Sequence, residues 1–435
     1  MKCWDAENEQ MNRECLEQVQ LERLQSTLNR VHKNVSFYKK QFDELGIQPG
    51  AVASVEEITR FPFTSREDLS NNYPYGMFAV PLRDIVRISS SAGTTARPVV
   101  VGYTRNDLKL RNTITSRFLT AGGVVDTDVV QICLNPALSS LGRVLKEGAE
   151  NIGASVMPMS HISTSKQLMV MQDYRTSVLL TTPSYAMHVL HVMEALGMDA
   201  DSLALKAILT VGEPLIQDTR DKLESGFNVQ VMAGYGPADL MGPAVAYECE
   251  KKNGLHISED HFLLEIVDPD TGTPCAPGQV GEVVLTTLTV RAFPLIRFRT
   301  GDLASIFRDP CTCGRTLLRM HQVTGHTGGL LTIRGVKVHP AQIEKILKGI
   351  AEDFTPRFLL HLYKESYRDM LEIWLAINEA IFPDEMKVIE NTLRTLRKQF
   401  FQLLGFEVMI KLVEPSTLKQ YGKPSGGVID NRFNS

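Results

Sequence analysis

From Ile85 onward the chain alternates between two apolar patterns, and that alternation limits its fold more than any other feature. Short runs of β character occupy 129–134, 155–159, 178–182, 207–211 and 229–232. Amphipathic stretches of helical period accompany them at 106–119, 165–174, 185–196 and 216–223. A helix between two strands returns the chain to the same edge, so such strands run parallel and the helices cover the sheet. The expected fold is α/β, with a large N-terminal layered domain. In sheets of this kind ligands gather beyond the carboxyl ends of the strands, so chemistry is sought in the loops that follow the β runs. At 435 residues the chain exceeds one ordinary core, and two or three domains are expected.

Four loops stand out. Ser89-Ser90-Ser91-Ala92-Gly93-Thr94-Thr95-Ala96-Arg97-Pro98 lies between the β-patterned runs 84–88 and 99–103. Its backbone N–H groups and hydroxyls can turn inward on phosphate, with Arg97 as the neutralising cation. It lacks the spaced glycines and Gly-Lys-Ser/Thr ending of a Walker A loop, and composition alone equally allows a Ser-rich turn. Gly212-Glu213-Pro214 follows the run 207–211, and Tyr235-Gly236 follows 229–232 with Asp239 just beyond. Gly212 permits close approach of a flat ring, and Tyr235 can stack on one. Thr300-Gly301-Asp302 follows a strand read at 295–299, where a carboxylate suits two ribose hydroxyls. Asp239 suits a Mg²⁺ bridging phosphates. Singly, each is also an ordinary turn or a core tyrosine; their order behind a phosphate-type loop gives them weight.

Several classes are disfavoured. No apolar run approaches the ~20 residues of a membrane span. The first eleven residues are polar and acidic without an apolar signal core, so the expected location is cytoplasmic. A net charge of −4 argues against a dedicated nucleic-acid binder. Seven cysteines form an odd, sparse set that does not read as a disulfide framework. There is no Gly-x-Ser-x-Gly elbow, and Ser184 follows Pro183 at a helix start, which disfavours a hydrolase.

The motifs together resemble the phenylacetate–coenzyme A ligase family of the adenylate-forming superfamily, over nearly the whole chain. The resemblance is carried by 91–95 with 101–104, 182–186, Gly212-Glu213-Pro214, Tyr235-Gly236 with Met241-Gly242-Pro243, 254–262, 294–303 and 333–344. It implies a two-step reaction: a carboxylate attacks the α-phosphate of ATP, and the coenzyme A thiol then displaces AMP to give a thioester. By motif position, Ser91, Gly93, Thr94, Thr95 and Arg97 would hold the β- and γ-phosphates. Gly212, Glu213, Pro214, Tyr235 and Gly236 would frame the adenine, Asp302 the ribose, and Asp239 the magnesium. Lys423 would bridge the acyl carboxylate and the α-phosphate from a Gly/Pro/Ser-rich tail. A domain spanning 1–325, with a β subdomain, would carry a small mobile α+β lid at 326–435, hinged at 325–329. The lid reads as strand 330–338, helix 341–347, strands 357–363 and 371–377, helix 386–404 and strand 406–413.

The chain departs from the family pattern at Ala96-Arg97, Ala238, His326, Gly328-Gly329, 135–138 and 160–162. The expected substrate is an aryl, phenylacetate-like acid. The alternatives are a nucleotide-binding relative with weak or no ligase activity, and an enzyme that adenylates for an acceptor other than coenzyme A. The sequence leaves the oligomeric state open, a homodimer through the N-terminal helices or the lid included.

One constellation stands apart. Cys249 is followed after six residues by His256, and later by Cys311-Thr312-Cys313 in a Pro/Gly turn. Three thiols and one imidazole form a tetrahedral Zn²⁺ set if the fold brings them together. The spacing matches no standard finger, and buried free cysteines are the alternative.

Overall fold

Five strands form the parallel part of a nine-stranded sheet, in the spatial order Ser155–Pro158, Val129–Cys133, Val178–Thr181, Ala207–Thr210, Gln230–Tyr235. The computed structural model describes residues 3–90, 98–158, 162–349, 357–365, 368–376 and 386–432. The two central strands Val178–Thr181 and Ala207–Thr210 are buried at every position, as expected of strands covered on both faces. The second strand in chain order lies outside the first, and the third lies on the other side. The direction of winding therefore switches between Val129–Cys133 and Val178–Thr181. That switch point is where a crevice opens in such sheets.

Gln230–Tyr235 runs further than its apolar pattern indicates, because Gly234 and Tyr235 pair antiparallel with Tyr247 and Ala246. Leu255–Ile257, Arg319–Met320 and Ile306–Phe307 complete the sheet. The helix Ser139–Ile152 was not among the expected elements, since Gly142 and Gly148 weaken its signal. Gly148 is a packing requirement: a Cβ there would come within 2.4 Å of Thr115 Cγ2 on the helix Arg105–Ala121.

A four-stranded antiparallel sheet follows, in the order Phe262–Val267, Gly281–Thr287, Phe298–Ala304, Gly325–His326. This corrects the reading of Asp302 as a residue after a strand. Asp302 lies within the strand, paired with His326, and the strand starts only at Phe298 because Arg297 takes φ 46°. Gly301, at φ 76°, accompanies a register irregularity in the pairing with Gly281–Thr287. His326 is thus still a strand residue of this sheet, so the expected boundary between 325 and 326 falls inside the last strand.

The C-terminal unit has its own core around Ile333, Ile343, Phe358, Leu360, Ile373 and Phe400. Its sheet runs Met409–Val413, Arg368–Ala376, Phe358–Glu365, Gly427–Asp430, with the helix Met386–Leu404 as expected. The single strand expected at 330–338 is a hairpin of Leu331–Ile333 and Val336–Val338. Its two-residue turn, Arg334-Gly335, has φ 50° and 78°, the left-handed pair that suits a tight hairpin. The Gly/Pro/Ser-rich tail that carries Lys423 is folded: it holds the helix Pro415–Gln420 and the strand Gly427–Asp430, parallel to Phe358–Glu365. Four strand residues next to a glycine pair are too few for a period to show. Among the described residues no helix is long and apolar enough to cross a membrane.

Candidate active site

A cleft of about 1300 Å³ opens at the switch point, beyond the carboxyl ends of Val129–Cys133 and Val178–Thr181. The large domain contributes Asn135, Ser184 and Tyr185, and the small domain contributes Arg334, Arg368 and Phe406. Docking is close. A Cβ on Gly335 would meet Leu138 Cδ1 at 2.7 Å, and one on Gly405 would meet Asn135 Oδ1 at 2.5 Å. The small domain's turn and the residue after its long helix both rest on the loop 135–138, and the turn also rests on Thr182.

The structure brings Tyr235 and Asp302 together from two different sheets. Tyr235 Oη donates to Asp302 Oδ2 at 2.9 Å. Lys337 Nζ of the small domain reaches Asp302 Oδ1, also at 2.9 Å. Asp302 is buried, and burial together with this carboxylate holds the Tyr235 phenol well above its ordinary range. The phenol therefore stays a donor.

Glu213 faces the start of the helix Pro183–Ala195, where it accepts from Ser184 N at 2.9 Å and Ser184 Oγ at 2.8 Å. Free N–H groups and a positive dipole end at a helix start favour a carboxylate. Burial and the nearby Asp369 of the small domain outweigh that, and the Glu213 carboxyl is pushed up to about 7. The Gly335 N–H also donates to it.

The remaining expected residues fall as follows. Ser91, Gly93, Thr94, Thr95 and Arg97 lie outside the described residues; the strands that flank them, Arg87–Ser90 and Val100–Tyr103, form an antiparallel pair. Gly212 takes φ 82° at its strand end, and Pro214 is exposed beside it. Gly236 admits no side chain, since a Cβ would lie 1.8 Å from Gly242 O. Asp239 is buried, with Arg66 Nη2 at 3.6 Å. Lys423 is exposed and donates to Val428 O, so this arrangement does not bring it to Asp302. The sequence reading missed Lys337, because nothing local distinguishes a lysine in a short hairpin. Ser184 was set aside with the hydrolase reading, although Thr182-Pro183-Ser184 is a recognisable helix start.

The fold brings Cys249, His256, Cys311 and Cys313 into one buried cluster, with their ligand atoms all within 4.8 Å of one another. Cys249 Sγ to Cys311 Sγ is 3.8 Å, and Cys313 Sγ to His256 Nε2 is 3.4 Å. Tetrahedral zinc with bonds of ~2.3 and ~2.0 Å requires about 3.8 and about 3.6 Å between such atoms. The donor set fits. Hydrogen bonds from Cys249 and His256 draw the Cys313 thiol below its usual range. The buried Arg315 guanidinium, held by Glu9, donates to Cys313 Sγ at 3.7 Å and would offset the negative charge of a three-thiolate site. Cys249 follows the strand Ala246–Glu248, which pairs with the strand carrying Tyr235, so the cluster lies behind the Tyr235 end of the site.

Residues 16–290 match the AMP-binding enzyme family, and residues 335–432 match the AMP-binding enzyme C-terminal domain. The chain is 37% identical over 418 residues to a phenylacetate-coenzyme A ligase of Thermus thermophilus, covering 94% of each protein. It is 34% identical over 419 residues to the phenylacetate-coenzyme A ligase of Escherichia coli, covering 96% of this chain and 95% of that one. The chain belongs to the phenylacetate–coenzyme A ligase family.

Among solved structures it superposes on 2-hydroxyisobutyryl-CoA ligase, in complex with 2-HIB-AMP and CoA in the thioesterification state. The TM-score is 0.89 at 24% identity, over 98% of this chain and 92% of that one. Against the same ligase in its postadenylation state, with equal coverage, the TM-score is 0.71. The domain arrangement here is closer to the first.

Proposed function

We propose that this chain is an AMP-forming ligase that activates an aryl, phenylacetate-like carboxylic acid with ATP and passes the acyl group to coenzyme A. One observation carries the reading. Groups from both domains converge on the carboxyl edge of the sheet, in the arrangement closer to the thioester-forming state of a structural neighbour. In the first step an acid oxygen attacks the α-phosphorus, and the leaving pyrophosphate takes the bonding pair. Charge grows on the non-bridging oxygens, so fixed donors and cations are the main lever.

The roles assigned are these. Residues 91–97 bind the outer phosphates, with Arg97 as the cation. Asp302, aligned by Tyr235, accepts from the ribose, while Gly212 leaves room for the adenine. Asp239 would supply one carboxylate ligand to Mg²⁺, which usually takes one or two carboxylates plus phosphate oxygens. Its loose 3.6 Å pairing with Arg66 leaves it available. When bound, that ion neutralises phosphate charge. Lys423 acts only after the lid turns, so the hinge is assigned to Thr327–Gly329, where Gly328 and Gly329 take φ 79° and 68°. In the second step the thiolate sulfur attacks the acyl carbon, and AMP departs with the bonding electrons. The Cys249–His256–Cys311–Cys313 cluster is assigned a structural zinc, outside the chemistry.

The test is pyrophosphate release across a panel of carboxylic acids, with and without coenzyme A. Acid-dependent release followed by thioester supports the reading. Silence on every acid despite measurable ATP binding would sink it.

A further inference from the structure

We propose that Lys337 is a positioning residue for thioester formation: seated on Asp302, its ammonium latches the lid in the orientation that exposes the acyl-adenylate to the thiol. This rests on the two-step reading above.

The geometry comes from the hairpin. Ile333 and Val338 are fully buried in the small-domain core and fix the hairpin's inner face. Side chains alternate along a strand, so Lys337, next to Val338, points the other way, toward the large domain. Its ammonium ends 2.9 Å from a carboxylate only 7% exposed, across the domain boundary. Among the described residues no other ion pair joins the two domains. An exposed pair contributes about 0–1 kcal/mol, but removing one partner from a buried carboxylate costs more, because that charge loses its counterion.

The same lid carries Lys423, which is exposed and occupied by Val428 O. In this orientation Lys337, and not Lys423, is therefore the lysine at the ribose carboxylate. Asp302 is not used up by its two partners. A carboxylate has about four lone-pair positions, and here Oδ2 takes one Tyr235 proton and Oδ1 one from Lys337. That leaves about two acceptor positions for ribose hydroxyls. Lid and nucleotide thus share one carboxylate. When the lid rotates to bring Lys423 in, Lys337 leaves with it. A single rotation exchanges the two lysines.

The test separates the half-reactions. Acid-dependent ATP–pyrophosphate exchange reports the first, and thioester formed from supplied acyl-adenylate and coenzyme A reports the second. Small-angle X-ray scattering with AMP and coenzyme A reports the lid. In Lys337→Ala, thioester formation should fall about tenfold or more in kcat, the size of a lost charged hydrogen bond, with the exchange rate falling much less. The scattering profile should leave the docked arrangement, and Lys337→Arg should restore most of both. Equal loss in both half-reactions, or parent-rate thioester formation with an unchanged profile, overturns the proposal. If the unmutated protein is silent in both assays on every acid, the ligase reading fails. The scattering then decides the latch alone: an unchanged Lys337→Ala profile overturns it, and a shifted one upholds it.

Discussion

Asp302 and Lys423 are assigned to one reaction but are held in opposite ways. Asp302 lies mid-strand in a four-stranded sheet, buried, with Tyr235 brought onto it from a second sheet. Lys423 lies between a six-residue helix and an edge strand, exposed, its ammonium on a backbone carbonyl. The first group is preorganised by packing, so it binds without rearrangement. In the proposed mechanism the second is carried by a domain that turns, and its contribution would depend on how often the lid is in place. On that reading a fixed nucleotide-binding domain would serve two chemistries in succession, because the groups that differ between them ride on the moving part.

The contrast is open to attack at several points. The largest effect expected is that of Lys423→Ala. Acid-dependent pyrophosphate exchange should fall by about 10²–10³, as for loss of one charge-stabilising donor at the reacting phosphate. Thioester formation from supplied acyl-adenylate should suffer far less, and equal losses would erase the distinction between fixed and delivered groups. Next comes Asp302→Asn, which leaves the shape but removes the charge. The KM for ATP should rise about 10- to 100-fold, from the ~1.5–3 kcal/mol of hydrogen bonds to a charged group. A loss confined to kcat would move Asp302 away from the ribose.

Cys311→Ser sharpens the rigid side of the comparison. It should release one equivalent of zinc by elemental analysis and lower the thermal midpoint of the large domain, leaving the transition of the small domain in place. Native protein washed with chelator that contains no metal would remove the zinc assignment.

The smallest effect expected is a pH dependence. With the lid docked, burial and Asp369 raise the Glu213 carboxyl from 4.5 to about 7. When the lid swings away, Asp369 and the small-domain cover leave, and the value falls back toward the ordinary one. Docking therefore takes up a proton. Its favourable contribution is complete below about 4.5 and is lost as the pH rises through about 7. The docked fraction seen by scattering should fall a few-fold between those limits. Glu213→Gln should flatten the trend, and a docked fraction that rises with pH would refute the assignment.

Particular elements show how far the sequence could be read. The parallel strands and the helix Met386–Leu404 were legible because each is long or repetitive enough for its period to show. Ser139–Ile152 was hidden by two glycines, one of which exists only to let two helices touch. Gly427–Asp430 was hidden by its brevity, and Asp302 was misplaced because a left-handed Gly301 inside a strand looks like a turn.

Residue type and local interval put forward Cys249 with His256 and Cys311 with Cys313 as two half-sites, and they put forward the order of the loops that follow the strands. Those are short-range properties. That the four ligands form one cluster was decided by the fold. That Tyr235 donates to Asp302, that Glu213 caps a helix instead of facing solvent, and that Lys337 reaches across to a carboxylate were decided only by tertiary structure. Each joins residues from separate sheets or domains, and no local pattern records which distant charge a side chain will meet once burial makes that partner necessary.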